Sequence, residues 1–298
     1  MKDIYTENNL YPYEGRIKDH FKELYDSVFI AFLPFFVVNK QTNSNTNFKK
    51  SEKITFQRVQ EELELLRDIP EFDAAIYYYS SKDFPTDKEI YEKGKNIPWE
   101  NVIKGAGLKD YAEVNKALRT SIGALRNAFR RHDLTNKINV YTTENKIWHP
   151  TEGSYDILSK VAIYNAFKIL NKKEVIVKDE FYESTKELSL DKLSEFEFSE
   201  TFDSKDYYVY SADKEILFTL EWDSFFFLIA TTQDKMEIII KENLFEGFIY
   251  NNETTHNWDY SAEELKRLLE IEKQKELEEQ KAKSAQLRAD NKWWKFWN

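Results

Sequence analysis

An uninterrupted apolar run marks the first part of the chain. Residues Val28 to Val38 read VFIAFLPFFVV, eleven residues that include Pro34. A helix that crosses a membrane needs about 20 apolar residues, and a proline interrupts a helix because it lacks an amide donor and clashes with the preceding turn. The run therefore predicts a buried segment broken at Pro34, entered by a helix over residues 15–33.

Apolar residues recur at helical spacing in three further stretches. The pattern predicts an amphipathic helix over 55–67, a helix that begins after Asp110, and a helix from Ser154 to Leu170. Asp110 and Ser154 are suitable N-caps because their side-chain oxygens accept hydrogen bonds from free amides of the first turn. The inner faces of the first two helices consist of Phe56, Val59, Leu63 and Leu66, and of Val114, Leu118, Ile122, Leu125 and Phe129.

Stretches rich in β-branched and aromatic residues predict strands. A strand at 138–143 and another at 174–181 flank the predicted helix 154–170, which is compatible with one right-handed crossover unit. Three strands in quick succession follow, at least two of them antiparallel, while 234–243 fits a helix or a strand equally well. The predicted fold is α+β, with a mixed, mainly antiparallel sheet and packed helices. The strand candidates are 74–80, 138–143, 174–181, 207–211, 215–222, 225–232 and 246–250.

The end of the chain has a different character. Ser261 and Glu264 form a capping-box pattern that opens a helix near Ala262. Beyond Ile271 this helix has almost nothing to bury, so the pattern predicts a projecting charged arm. The predicted organisation is a single globular domain over 1–260 with a helical subregion over 1–135, a charged helical arm over 261–291, and an aromatic tail over 292–298.

Composition narrows the classes of function. The 298 residues carry a net charge of −10, which opposes general nucleic-acid binding because phosphate contacts need a basic surface. The absence of cysteine excludes disulfides, thiolate metal sites and cysteine nucleophiles. The amino terminus lacks the basic start and apolar run of a signal peptide. We therefore predict a cytoplasmic protein with no transmembrane segment.

A set of histidine and carboxylate side chains is the candidate catalytic site. His149 and Glu152 lie in a turn, and Asp179 and Asp223 lie at strand ends beside Glu180 and Glu221. If these groups converged, they could bind a hard divalent cation or perform acid–base chemistry. None of them has the spacing of a known metal motif. The plainer interpretation is that the carboxylates satisfy backbone amides at turns and His149 packs beside Pro150, so no metal or cofactor is predicted.

A basic stripe is the first candidate binding surface. Helical periodicity places four basic residues on one face of the helix after Asp110, beside its apolar stripe: Lys116, Arg119, Arg126 and Arg130. Such a face could bind a phosphate-bearing ligand or an acidic partner, since arginine offers paired donors. The alternative is a solvated face whose charges pair with the chain's own excess carboxylates.

Two further segments suggest contacts with another protein. The acidic passage, residues 187–206, interleaves carboxylates with Phe196, Phe198 and Phe202; it could engage a basic partner, or form an edge strand with its apolar residues inward. The tail concentrates aromatic rings beside two lysines, which suits a groove on another protein or a peripheral contact with a membrane. Alternatively, the tail folds back onto its own domain. Its aromatic residues are Trp293, Trp294, Phe296 and Trp297.

Several short motifs resemble one bacterial family. They are LRTSIGAL at 118–125, PTEG at 150–153 leading to DEF at 179–181, WDSFF at 222–226, FEGF at 245–248, and a threonine four residues before Trp258. Together they resemble the uncharacterised proteins of bacilli and their relatives catalogued as domain of unknown function 2711. The resemblance covers roughly residues 55–260 and implies no activity.

The residues favour two hypotheses for function. The first is a non-enzymatic bacterial interaction protein, either inhibitor-like or a scaffold, which uses an acidic surface and the aromatic tail to engage another protein. The second is an enzyme of unknown reaction that uses His149, Glu152, Asp179 and Asp223 around a metal or a water molecule. Absence of catalytic motifs favours the first.

Overall fold

The computed structural model describes residues 4–38, 52–54, 76–78 and 84–294, with the backbone alone for 52–54, 76–78, 279 and 282–294. The fold is α+β, as predicted. The predicted helix over 55–67 lies outside the described residues, as do Phe296 and Trp297 of the tail.

A seven-stranded antiparallel sheet forms the centre of the molecule. Its strands run in the order β11-β1-β10-β9-β8-β6-β7, and two separate two-stranded sheets pair β2 with β5 and β3 with β4. Hairpins connect β8, β9 and β10, so the three strands predicted in quick succession are confirmed. The strands are β1 Ser27–Phe32, β2 Phe35–Val38, β3 Glu52–Ile54, β4 Ile76–Tyr78, β5 Gly94–Ile97, β6 Glu174–Asp179, β7 Thr185–Ser189, β8 Asp206–Ser211, β9 Ile216–Leu220, β10 Phe226–Thr231 and β11 Gly247–Ile249.

Helices cover the sheet and extend beyond it. Asp110 caps its helix as predicted, accepting a hydrogen bond from the Glu113 amide at 3.0 Å. The ambiguous stretch 234–243 is helical. In the described part of the chain the α-helices are α1 Ile17–Phe21, α2 Asp87–Lys93, α3 Trp99–Ala106, α4 Tyr111–Ser121, α5 His132–Asn145, α6 Ile157–Ile169, α7 Glu195–Glu200, α8 Gln233–Lys241 and α9 Ala262–Trp294.

The apolar run is the first prediction that the structure corrects. Residues 15–33 do not form one helix: α1 ends at Phe21, and the run becomes β1 and β2. β1 lies between β10 and β11 and is buried at all six positions. A strand covered on both faces shows no alternation of apolar and polar residues, so its pattern resembles a buried helix. The described part of residues 1–135 contains the strands β1 to β5 as well as helices.

The predicted strand at 138–143 is also wrong, because these residues lie inside α5. Leu134, Ile138 and Thr142 are buried at intervals of four, which is a helical stripe. The β-branched residues suggested a strand, but packing against the neighbouring helices outweighs that preference. The crossover unit is consequently absent, and β6 is antiparallel to both of its neighbours. Asp156, rather than Ser154, caps α6.

Aromatic side chains fill the core between the sheet and the helices. Phe167, Phe218 and Phe227 are fully buried where α6 covers β9 and β10. Trp99 is buried at the start of α3, and its indole NH donates to the Leu33 carbonyl at 2.8 Å.

Helix α9 has a docked part and an exposed part. Leu268 packs against Leu125, Phe129 and Tyr260, and the buried Glu272 carboxylate accepts a hydrogen bond from the Ala128 amide. From Lys273 to Lys281 every side chain that is described is exposed. The 33 residues of α9 span about 50 Å at 1.5 Å per residue. The predicted C-terminal helix is therefore present and continues to Trp294.

Candidate functional site

One edge of the sheet collects polar side chains from distant parts of the sequence. The end of β6 pairs with the start of β8, and the end of β9 pairs with the start of β10. Because the neighbouring strands are antiparallel, these four strand ends lie at one edge of the sheet, together with the turns next to them. The turns carry Glu180 after β6 and Glu221 and Asp223 between β9 and β10.

Glu221 is a carboxyl group of this edge with a strongly raised pKa. Burial raises its pKa to about 7, since a carboxylate loses hydration when it is removed from water. Arg119 opposes this effect, while the neighbouring Asp223 and Glu180 raise the pKa further. Glu221 is therefore about half protonated near neutral pH.

His256 lies directly behind Glu221 and is neutral. Its Nε2 is 3.9 Å from the Glu221 carboxylate, and its Nδ1 shares a 2.9 Å hydrogen bond with the hydroxyl of Tyr11. Burial lowers the pKa of His256 to about 4, and the positive charge of Arg119 contributes. The contact between His256 and Glu221 is consequently not an ion pair at neutral pH.

A buried polar layer supports Glu221 and His256 from α4. The guanidinium of Arg119 is 3.8 Å from the carboxylate of Asp259, which also accepts a hydrogen bond from the Asn115 amide at 3.0 Å. Burial raises the pKa of Asp259, and Arg119 and Asn115 oppose that rise. Four buried polar atoms of this layer have no hydrogen-bond partner among the described residues: one Asp259 oxygen, the Asn115 oxygen, the Arg119 Nε and the Trp258 indole NH. Unpaired buried polar atoms are rare in folded proteins, so their concentration distinguishes this region from the rest of the core.

Three aromatic rings are exposed beside the carboxylates. The exposed fractions are 52% for Tyr13, 59% for Phe181 and 61% for Trp222. Tyr13 is close enough to Glu221 and Glu180 for their charges to raise its pKa, after the larger effect of burial. The Lys205 ammonium lies 6.0 Å from the Phe181 ring. We call Glu180, Glu221 and Asp223, with these three rings, the acidic edge.

The four predicted catalytic residues do not form one site. His149 is partly buried, contacts the Thr142 hydroxyl at 2.8 Å and packs edge-on against Phe35. Burial alone lowers its pKa to about 4, with no contribution from a carboxylate. Asp179 accepts hydrogen bonds from the amides of Glu183 and Ser184 and so holds a turn.

Glu152 and Asp223 do lie in adjacent turns. The amide of Gly153 donates to the Ser224 carbonyl at 3.0 Å, which fixes the turn of Glu152 against the one that carries Asp223. Of the four candidates, Asp223 alone contributes charge to the acidic edge through its effect on Glu221. Within the described residues no group of three or more histidine or carboxylate side chains is placed to hold a metal ion.

The predicted basic stripe does not exist, because α4 ends at Ser121 and Gly123 adopts a left-handed conformation with φ 76°. Lys116 is buried and pairs with Glu264 of α9 at 3.0 Å. Arg119 belongs to the polar layer under Glu221. Arg126 precedes a short 3-10 turn, and Arg130 donates to the Leu125 carbonyl at 2.8 Å. Lys116 and Arg119 do pair with the chain's own carboxylates, as the alternative predicted, but they are largely buried and do not form a solvated face.

The acidic passage follows the plainer alternative only in part, because two of its phenylalanines face inward but only residues 187–189 lie in an edge strand. It contains most of the edge strand β7 and then α7, whose N-cap is Ser194. Phe198 and Phe202 are buried, so they cannot act as exposed anchors for a partner. Trp293 and Trp294 lie in the last turn of α9, and a role for the tail stays a prediction.

Most of the acidic edge was outside the reach of sequence reasoning. The strand-end positions pointed to Glu180, Glu221 and Asp223, although Glu221 and Asp223 occupy a turn and not one face of a strand. Tyr11, Tyr13 and His256 were missed, since more than 240 residues separate Tyr11 from its partner His256. No local pattern connects positions so far apart.

Comparisons with known proteins identify the family of the chain. A family described as a protein of unknown function, DUF2711, matches residues 13–260. The uncharacterized protein YwbB of Bacillus subtilis is 36% identical over 87 residues, a match that covers 29% of this chain and 37% of that protein. No solved structure matches the chain significantly. No helix in the described part of the chain combines the length and apolarity that a membrane crossing requires.

Proposed function

Because the chain belongs to the DUF2711 family, whose function is unknown, we propose a function from its own surface: a non-enzymatic binding protein whose acidic edge engages a basic partner protein. The family match begins at residue 13, earlier than the resemblance indicated, and ends at 260, so it includes the whole acidic edge and none of α9.

One observation carries the proposal: the three exposed aromatic rings lie among three carboxylates that form no ion pair with lysine or arginine within the described residues. Tryptophan and tyrosine dominate the binding energy of protein interfaces. Unpaired carboxylates around them would attract a basic surface and accelerate its association. The net charge of −10 gives the whole molecule a negative electrostatic potential, which would also attract a basic partner.

Photo-crosslinking tests the proposal at Phe181. Benzoylphenylalanine preserves the ring at this position and would react with a partner that covers the acidic edge. We expect a discrete crosslinked product in the native host, with a basic protein as its second component. The double variant Trp222→Ala with Asp223→Asn should reduce the yield about thirtyfold at limiting partner concentration, since an interface hot spot contributes about 2 kcal/mol or more.

Phe84 supplies the matched control, because it is also an exposed phenylalanine, at 40%, and lies away from the acidic edge beside Phe36 and Trp148. Benzoylphenylalanine at position 84 should not give the same product. Equal products from both positions, or a product at 181 that the double variant does not weaken, would contradict the proposal.

The arm extends the proposal to a second contact. α9 continues through an exposed segment after Glu272 and places the aromatic tail beyond the docked part of the helix. Two weak contacts on one chain bind more tightly than either alone, because the second becomes intramolecular. We propose that the tail and the acidic edge engage the same partner.

Deletion of residues 287–298 should leave the melting temperature unchanged, because the docked contacts of α9 end at Glu272 among the side chains that the structure describes. The yield of the Phe181 crosslink should fall at least fivefold at limiting partner concentration. Sedimentation of the full chain with vesicles of anionic lipid is the companion measurement. An unchanged yield would remove the tail from the proposal, and loss of vesicle binding in the deleted chain would assign the tail to a membrane surface instead.

A further inference from the structure

A cleft lies beside β1, and none of the residues of the acidic edge lines it. It lies between β1 and β11 on one side and the beginnings of α3 and α4 on the other, with a volume of about 530 Å³. Ligand pockets for small molecules have volumes of roughly 300–1,000 Å³. We call it the aromatic cleft.

Aromatic rings form its walls. Phe29, Phe32, Tyr111 and Phe245 all line it. The Tyr111 ring centroid lies 4.7 Å from that of Phe32, which in turn stacks on Trp99 at 4.2 Å. Phe32 is buried, at 4% exposed, so it serves as the support that fixes the half-buried Tyr111 ring before any ligand arrives, and Tyr111 needs little reorganisation on binding.

Two carboxylates lie among these rings. Glu246 accepts hydrogen bonds from the amides of Trp99 at 2.7 Å and Glu100 at 3.2 Å, and Tyr111 donates to the Glu100 carboxylate at 3.3 Å. Burial raises the pKa of Tyr111 to about 12, with further contributions from Glu246 and Glu100. The charges of both carboxylates therefore act inside the cleft. Among the described residues no lysine, arginine or histidine forms an ion pair with either of them.

We propose that the aromatic cleft binds a small organic cation, either an amine or a quaternary ammonium compound. Ring faces attract a cation through their negative quadrupole, and the two carboxylates supply the opposite charge. An anion would be repelled by the same groups. A neutral apolar molecule would remove water from Glu100 and Glu246 without supplying an opposite charge. The proposal does not depend on the acidic edge.

Titration calorimetry with choline and with diaminobutane tests the proposal on the full chain. We expect saturable binding of at least one of these cations. The neutral carbon isostere of choline, dimethylbutanol, has nearly the same shape and should bind at least tenfold more weakly. That comparison isolates the charge, because shape and apolar area are held constant.

Two variants place the binding in the cleft. Glu100→Gln removes one charge from an exposed residue without removing the Glu246 cap of α3, and Tyr111→Leu removes one ring. Each should weaken cation binding about three- to tenfold, in line with the strength of a single cation–ring or surface charge contact. Glu187→Gln is the control, because Glu187 is exposed on β7 at the other edge of the sheet. Its affinity should equal that of the native chain.

Three results would overturn the inference: no saturable binding of either cation, equal binding of choline and dimethylbutanol, or equal losses in Glu100→Gln and Glu187→Gln. A thermal melt of each variant confirms that it is folded before the titration. Since the Phe181 crosslink reports on the acidic edge and not on the cleft, failure of one proposal leaves the other measurable.

Discussion

Replacing Glu221 with glutamine is expected to stabilise the protein by up to about 3 kcal/mol at about pH 8 and to leave its stability at about pH 4 unchanged. The pKa of Glu221 is raised from 4.5 to about 7, and each unit of difference between the folded and unfolded chains corresponds to about 1.36 kcal/mol. Glutamine has no charge to desolvate, so it avoids this cost.

The direction of the pH dependence follows from proton binding. Between pH 4.5 and about 7 the folded chain holds a proton on Glu221 that the unfolded chain releases. The contribution of Glu221 to stability therefore falls as the pH rises through this interval. His149 and His256, whose pKa values are lowered to about 4, make the opposite contribution, so the difference in stability between the native protein and Glu221→Gln at each pH isolates the effect of Glu221.

Urea denaturation at several pH values measures both effects, with Glu187→Gln as the control for removal of a surface carboxylate. The control should keep the native pH profile. A Glu221→Gln protein that is less stable than the native protein at about pH 8 would show that the carboxylate contributes favourable contacts that outweigh its burial.

Replacing Gly153 with alanine is expected to destabilise the protein by about 3 kcal/mol, within the usual range for overpacking combined with backbone strain. Gly153 has φ 57°, and a Cβ atom there would lie 1.9 Å from the carbonyl oxygen of Trp222. Either the turn at 150–153 or the turn at 222–224 must then move, so the substitution should also reduce the Phe181 crosslink.

Gly107→Ala separates backbone strain from the clash. Gly107 has a similar φ of 65°, but a Cβ atom there would meet nothing within 4 Å. This variant should lose about 1 kcal/mol, the cost of the left-handed conformation alone. Equal losses in the two variants, measured by urea denaturation, would show that the contact with Trp222 has no energetic importance.

The sequence was most informative where its pattern was local. The cap at Asp110, the strands around β8, β9 and β10 and the C-terminal helix all follow from residues within a few positions of one another. β1 and α5 were misassigned because their burial depends on partners far away in the sequence. The acidic passage allowed two interpretations until the burial of Phe198 and Phe202 decided between them.

The candidate sites show the same division. A turn after a strand drew attention to Glu221 and Asp223, and chain direction in the sheet then placed Glu180 beside them. The neutral state of His256 and the buried pair of Arg119 with Asp259 depend on desolvation, which no single stretch of residues encodes. The aromatic cleft combines residues from β1, α3, α4 and the segment before β11, so its walls could not be assembled without the fold.

The position of β1 has a consequence for synthesis of the chain. Ser27 pairs with Thr231, and Phe29 pairs with Ile249. Both strands that pair with β1 therefore come about 200 residues later in the sequence. At roughly 5–20 residues per second on the ribosome, the two partner strands emerge about 10 to 40 seconds after the hydrophobic strand β1. Nascent chains therefore pass through a stage in which VFIAF is uncovered, and a chaperone that shields such segments would raise the yield of native protein.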